Sequence, residues 1–149
     1  MSRRPPARGF RSKIAYWVNR LRVLYYRLMG VEIGKGSYIS GGAHIDVRRG
    51  QISIGDRVNI SHGTYILSHA GFQDLKPGQK TVIEDDVKVF VNSVIFPGVR
   101  IGRNSTVGAS SVVTKDVPPN VVVMGNPARV ILHLENGAKP PESKGSENP

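Results

Sequence analysis

The sequence predicts a mainly β protein in which short parallel strands stack as a solenoid, preceded by one short amphipathic helix. Three observations lead to this fold class. An aliphatic residue recurs at every sixth position through much of the chain, glycine directly follows several of these residues, and there is no cysteine. Neither disulfides nor thiolate metal ligands can therefore hold the fold together. The 149 residues are enough for one domain.

The six-residue period is the strongest of these signals. It fits neither an amphipathic helix nor an ordinary alternating strand over this length. It does fit a triangular coil with three flat sides, each turning one aliphatic side chain inward. The aliphatic positions are Ile33, Ile39, Ile45, Ile54, Ile60, Ile66, Ile83, Val89, Ile95, Ile101, Val107 and Val113. Four or five stacked coils would be only about 20–25 Å tall, so we expect the exposed flat faces to pack against copies of the same chain.

Breaks in the period divide the chain. A slip of three residues at 51–53 follows the first coil, and a stretch of turn residues at about 69–81 predicts an extruded loop. Two prolines at 118 and 119 close the last coil, and residues 121–134 form a last extended piece. The predicted organisation is a disordered basic tail at 1–11, a helix at 12–30, the β-helix domain at 31–134 and a disordered tail at 135–149.

The helical segment combines an apolar stripe with arginines, and we expect Ser12 to cap its start and Gly30 its end. Such a helix can cover the open end of the solenoid, or residues 11–29 can lie on an anionic membrane surface. These two roles are compatible. The stripe consists of Ile14, Trp17, Val18, Leu21, Leu24, Tyr25 and Leu28.

Positive charge is concentrated at the start of the chain. The net charge is +10, and residues 1–30 contain eight basic residues and no acidic one. A confined charge favours a local anionic surface and argues against nucleic-acid binding as the main function. No apolar run has the length of a membrane span and no signal peptide is visible. We therefore expect a cytoplasmic protein that can contact the inner face of the membrane peripherally.

The second half of the repeat region contains a long recognisable motif. It runs from Ile95-Phe96-Pro97-Gly98-Val99 through Ile101-Gly102 and Val107-Gly108-Ala109-Ser110-Ser111-Val112-Val113-Thr114-Lys115-Asp116-Val117-Pro118-Pro119-Asn120 to Gly125-Asn126-Pro127-Ala128-Arg129-Val130-Ile131. This stretch resembles the C-terminal signature of the hexapeptide-repeat acyltransferases. The nearest pattern is that of the sugar O-acetyltransferases for maltose, galactosides and surface polysaccharides. The resemblance covers roughly residues 21–134. It implies a left-handed β-helix, a homotrimer with active sites between subunits, acetyl-CoA as donor and no metal. It also implies a histidine that deprotonates a hydroxyl of a sugar or glycan acceptor.

Four histidines are candidates for this base, because imidazole titrates near neutral pH. His69 follows Leu67-Ser68 where relatives place a Thr/Ser-His pair, so we expect it to be catalytic. His62 is the second candidate, although it can equally be a solvated corner residue. We expect His44 to touch the acceptor and His133 to be structural or exposed.

For the donor, the resemblance implies a backbone contact of Ala109 with the pantetheine arm, and further contacts at Val91, Thr114, Lys115 and Arg129. A lysine and an arginine suit the phosphates of coenzyme A. The alternative is that Gly108-Ala109 makes a tight corner and that Lys115 is a solvated charge.

One segment departs from the family pattern, in which an aromatic residue and small residues follow Asp-Asp-Val. Here Lys88, Phe90 and Val91 stand at those positions, and Asn92 is retained. Phe90 can narrow the donor groove. We expect Lys88 and Asn92 to contact the acceptor, and Lys88 suits an anionic one.

Two other functions fit the same repeats. One is a metal enzyme of the γ-carbonic-anhydrase type, with His44, His62 and His69 as ligands, although the spacing of His62 and His69 does not match that family. The other is a catalytically inactive assembly module, which the departures at Lys88 and Phe90 would explain.

Overall fold

The computed structural model describes residues 10–47, 52–69 and 79–135, and this part of the chain contains one helix and fourteen short strands. Helix α1 is Phe10–Leu28. The strands are β1 Glu32–Ile33, β2 Tyr38–Ile39, β3 His44–Ile45, β4 Ile52–Ile54, β5 Asn59–Ile60, β6 Tyr65–Ile66, β7 Thr81–Ile83, β8 Lys88–Val89, β9 Val94–Ile95, β10 Arg100–Ile101, β11 Thr106–Val107, β12 Val112–Val113, β13 Val121–Met124 and β14 Arg129–His133.

The strands form three sheets that run along the solenoid, and each coil gives one strand to each sheet. The first sheet has the order β1-β4-β7-β10, the second β2-β5-β8-β11-β13-β14 and the third β3-β6-β9-β12. All pairs are parallel except β13 with β14. The chain turns a corner between one sheet and the next. The first corner leads from the first sheet to the second, the second corner from the second sheet to the third, and the third corner from the third sheet back to the first.

The core is the column of aliphatic side chains inside this triangle. All twelve positions of the six-residue period are buried, none more than 8% exposed. They stack in register, as in Ile39↔Ile60, Ile60↔Val89 and Val89↔Val107. The prediction from the period is therefore confirmed.

Glycines at the first corner are required by close backbone approach. A Cβ on Gly34 would lie 2.5 Å from the carbonyl carbon of Gly55, and one on Gly102 would lie 2.4 Å from the nitrogen of Pro119. Neither glycine has a positive φ. Other corner positions do adopt the left-handed conformation, among them Arg57, Asp86, Asn92, Asn104, Ser110 and Asn120.

Several segment boundaries differ from the sequence predictions. Ile52 and Ser53 belong to β4 and not to a slip, because Ile52 is buried and pairs with Thr81. Residues 121–134 are not one extended piece: the chain turns at 125–128 and β14 returns antiparallel to β13. The predicted slip residue Gln51, the loop residues 70–78 and the tails at 1–9 and 136–149 lie outside the described residues.

Helix α1 lies across the N-terminal edge of the first coil. It begins at Phe10, so Ser12 lies within the helix and is not its N-cap. Gly30 ends it as predicted: with φ 90° it donates to the Arg27 carbonyl, while Val31 N–H reaches back to Tyr26. Within the described residues, no helix is long and apolar enough to cross a membrane.

Polar side chains of α1 make its hydrogen bonds with the solenoid. The Asn19 side chain donates to the Ser37 carbonyl and accepts from Ile39 N–H, and Arg22 donates to the Ile39 carbonyl at 2.6 Å. Further along, Tyr26 and Arg27 donate to first-coil carbonyls. These side chains satisfy the backbone groups that an open strand edge leaves unpaired. The helix therefore covers the end of the solenoid.

Candidate active site

Three polar side chains meet at the third corner, where β3 and β6 end. Ile45 of β3 pairs with Ile66 of β6, so the next residues, Asp46 and Leu67, lie side by side where the two strands end. The Nδ1 atom of His69 contacts Asp46 Oδ2, and the Ser68 hydroxyl donates to the same oxygen at 2.8 Å. The side chain of Asp46 is only 9% exposed, whereas that of His69 is 28% exposed.

This arrangement suits a general base. An ionised carboxylate only accepts hydrogen bonds, so Nδ1 of a neutral His69 carries the proton and donates to Asp46. The Nε2 atom then has the lone pair that can take a proton from a hydroxyl. A carboxylate in this position can also stabilise the imidazolium that such a proton transfer would form. His69, which contacts this carboxylate, is the histidine that we expect from the sequence to be catalytic.

The same corner contains two of the expected donor contacts. Lys115 and Thr114 directly follow β12, and both are exposed. Because β9 alone separates β6 from β12, Lys115 and His69 lie about two strand spacings apart along the solenoid, roughly 10 Å. Lys115 and Arg129 also line one open depression of about 310 Å³, beside Val117, Pro118 and Ala128. Asp116 also lines this depression, and its carboxylate accepts from the Arg100 N–H; the two cations give the depression a positive balance that suits a polyphosphate.

The remaining expected donor contacts lie at the second corner. Val91 and Ala109 occupy the same position in consecutive coils, and Ser110 N–H donates to the Val91 carbonyl. His62 occupies this position one coil earlier, where its ring covers Gly42. One side of the coil, about 15–20 Å of extended chain, separates this corner from the third. A single chain therefore does not bring Val91 and Ala109 to His69.

Asn92 has a structural role at the second corner. Its φ of 58° is one that asparagine tolerates better than most residues, and its side-chain oxygen covers the α-carbon of Gly63. Phe90, which precedes Val91, is exposed at this corner. Lys88 faces outward from β8, on the second sheet.

An aromatic stack lies on the outer face of the third sheet. The rings of His44 and Tyr65 are 4.6 Å apart and nearly parallel. His44 and Asp46 are two residues apart, so the stack lies next to the Asp46–His69 pair. The fourth histidine, His133, is exposed on β14.

The metal-enzyme alternative is not supported within one chain. His62 and His69 lie at different corners, and among the described residues no three histidine, cysteine, aspartate or glutamate side chains are grouped as metal ligands would be.

Two members of this site are absent from the sequence predictions, namely Asp46 and Tyr65. Their signal is the offset of 21 residues between the first two runs, which places residue 46 beside 67 and residue 44 beside 65. This offset predicts the neighbours only if the irregular segment between Ile45 and Ile54 does not shift the pairing of the strands that follow it.

Comparison with known proteins identifies the fold. The family model for bacterial transferase hexapeptide repeats matches residues 80–115. A tetrahydropyridine-dicarboxylate N-acetyltransferase of Clostridium perfringens is 49% identical over 67 residues, which are 44% of this chain and 28% of that protein. The chain thus spans only about a quarter of the length of that relative.

Solved structures extend the similarity over most of the chain. A hexapeptide-repeat acetyltransferase of Vibrio cholerae superposes with a TM-score of 0.65 and 28% identity, covering 83% of this chain and 88% of that one. The same Vibrio protein also has a structure in complex with acetyl coenzyme A. The polysialic-acid-specific acetyltransferase NeuO has a TM-score of 0.60 and 26% identity, over 78% of this chain and 56% of its own.

The fold is thus a left-handed parallel β-helix with one N-terminal helix, and the relatives that share it are named acetyltransferases. Residues 80–115 thus match the hexapeptide-repeat transferase family, and the fold of that family extends over most of the chain.

Proposed function

We propose that this protein transfers an acetyl group from acetyl-CoA to a hydroxyl of a sugar or glycan precursor, with His69 as the general base. The observation that supports this most strongly is the contact of His69 with the nearly buried carboxylate of Asp46. A histidine held in one tautomer beside a carboxylate is the arrangement that direct transfer from a thioester requires.

In the proposed reaction, Nε2 of His69 removes the proton of the acceptor hydroxyl while its oxygen attacks the thioester carbonyl. The new C–O bond forms and the C–S bond breaks. The coenzyme A thiolate leaves and takes the proton back from the imidazolium. Asp46 holds the ring throughout, and the Ser68 hydroxyl holds the same carboxylate oxygen in place.

The donor is proposed to bind with its phosphates at Lys115 and Arg129, beside Thr114, and its thioester towards His69. The Vibrio cholerae relative in complex with acetyl coenzyme A supports this choice of donor. Val91 and Ala109 can join the same site only if the second corner of another copy lies against the third corner of the first. We therefore propose a homotrimer, with a native mass of three 16.2 kDa chains.

For the acceptor, the proposal rests on two supports. NeuO, a structural relative, is named for an acidic polysaccharide. In this chain, the His44–Tyr65 stack presents an aromatic surface near His69, and aromatic faces suit the apolar side of a sugar ring. Lys88 and Asn92 stay proposed acceptor contacts, contributed from the second sheet and second corner of a neighbouring copy.

The test is release of free coenzyme A thiol from acetyl-CoA, measured with a panel of neutral sugars, acidic sugars and amines. We expect a sugar to give turnover that His69→Ala and Asp46→Asn each lower by at least about 100-fold. His133→Ala is the matched control, because this histidine is exposed on β14. Turnover with amines alone would replace the O-acetyl proposal by N-acetyl transfer, and equal loss in the control would contradict the assignment of His69.

A further inference from the structure

Helix α1 is oriented opposite to the usual amphipathic surface helix. Its polar side chains, Asn19 and Arg22, face the solenoid and bind backbone groups of the first coil. An ordinary surface helix instead buries its apolar stripe against the core. Among helix residues 17–28, whose side chains the structure describes, only Val23 and Tyr26 pack on the core, and both are half-buried.

The apolar stripe is consequently exposed to solvent, and three of its residues, Trp17, Leu21 and Leu24, line an open groove beside the first coil. The exposed fraction is 64% for Leu21 and 78% for Leu28, and the exposed large apolar residues of the helix are Trp17, Val18, Leu21, Leu24, Tyr25 and Leu28. Six such residues on one helix form a continuous apolar surface of the kind that marks a contact with a partner or a membrane.

The chemistry around the stripe indicates what covers it. Arg20 lies 5.5 Å from the centre of the Trp17 ring. A groove of about 620 Å³ between α1 and the first coil has Arg20, Arg27 and Lys35 in its lining and no acidic residue. The first 30 residues contain eight basic residues and no acidic one.

From this geometry we propose that the outer face of α1 docks on the surface of an anionic phospholipid bilayer, with the helix parallel to the membrane plane. The leucines would enter the boundary between headgroups and acyl chains, where tryptophan and tyrosine rings are also favoured. Arg20 and Lys35 would lie among the lipid phosphates, since Arg27 is already bound to first-coil carbonyls. Two copies meeting through this face would bring like charges together, which disfavours self-association there. This inference does not depend on the proposed acetyl transfer.

Vesicle co-sedimentation of the full chain tests the proposal. We expect binding to phosphatidylcholine vesicles that contain phosphatidylglycerol, weaker binding to phosphatidylcholine alone, and a loss of affinity as salt rises. Leu21→Gln combined with Leu28→Gln should weaken binding at least about tenfold, since both changes remove apolar surface at solvent-exposed positions. Arg20→Gln should weaken binding to the anionic vesicles only.

The matched control is Ile131→Thr, because this residue is 58% exposed at the opposite end of the solenoid. It should leave vesicle binding unchanged. Circular dichroism and native mass are recorded for every variant. Three results would overturn the proposal: no binding to anionic vesicles, an equal loss in Ile131→Thr, or a fall in native mass of the double leucine variant, which would identify the face as a contact between copies.

Discussion

Replacing Asn19 by alanine removes the central contact between α1 and the first coil. The side-chain amide of Asn19 donates to the Ser37 carbonyl at 3.2 Å and accepts from the Ile39 N–H at 3.0 Å. The Asn19 amide thereby makes the two hydrogen bonds that a neighbouring strand would make with the open edge at β2. Ile39 is fully buried, so its N–H has little access to water once this partner is gone.

The magnitude follows from these two bonds. An unsatisfied buried donor costs about 1–3 kcal/mol, and the carbonyl bond adds roughly 0.5–1.5 kcal/mol. Alanine is the better helix former by about 0.5 kcal/mol, which offsets part of the loss. We expect Asn19→Ala to lower the free energy of unfolding by about 2 kcal/mol, or the melting temperature by roughly 4–8 °C in a chain of this size.

The assay is urea unfolding together with hydrogen exchange at the Ile39 amide, which should become faster in the variant. Leu21→Ala is the matched control, since it lies on the outer face of the same helix and should change stability by no more than about 0.5 kcal/mol. If Asn19→Ala were as stable as the wild type, with unchanged exchange at Ile39, the polar cap would not stabilise the solenoid and the reasoning would be refuted.

Two further predictions concern the solenoid itself. Gly102→Ala should lower stability by about 1–3 kcal/mol, because its Cβ would overlap the Pro119 backbone, whereas Gly41→Ala should cost less, since its Cβ meets only the end of the flexible Arg22 side chain; thermal melting compares the two variants. The hydrogen bond from Arg100, and next the N–H of Arg103, lower the pKa of Glu84. Its contribution to stability is thus complete at neutral pH and is lost as pH falls through the lowered pKa, so Glu84→Gln should lower the free energy of unfolding at pH 7 by no more than about 1 kcal/mol, and by less at pH 3. An equal effect of Glu84→Gln at both pH values would contradict the ion pair.

The core was predictable because its residues recur at every sixth position of the sequence. A residue such as Ile60 recurs in register with Ile39 and Val89, and burial of one aliphatic side chain per side of each coil requires that period. The glycines were predictable as corner residues, but their physical cause is the neighbouring coil, as the backbone approach of Gly55 to Gly34 shows.

The orientation of α1 was not predictable from its pattern. Periodicity shows which face of a helix is apolar, but not which face is buried. The open edge of the first coil presents backbone carbonyls such as Ile33 and Ile39, and these are satisfied by arginines and not by leucines.

The site was only partly predictable, for a similar reason. His69 was accessible through its place in the motif, whereas its partner Asp46 lies 23 residues earlier and reaches it only through the register of two coils. The separation of Ala109 from His69 arises from the triangular cross-section, which places positions of similar motif context at different corners.

Calorimetric titration of the full chain with acetyl-CoA tests the central claim most directly. The account predicts saturable binding that Lys115→Ala weakens at least about tenfold, through loss of a charge-assisted phosphate contact. Lys35→Ala is the control, because Lys35 lies at the opposite end of the solenoid, and it should leave the affinity unchanged. No binding even at millimolar acetyl-CoA, or an equal effect of both lysine substitutions, would contradict the proposed donor site at the third corner.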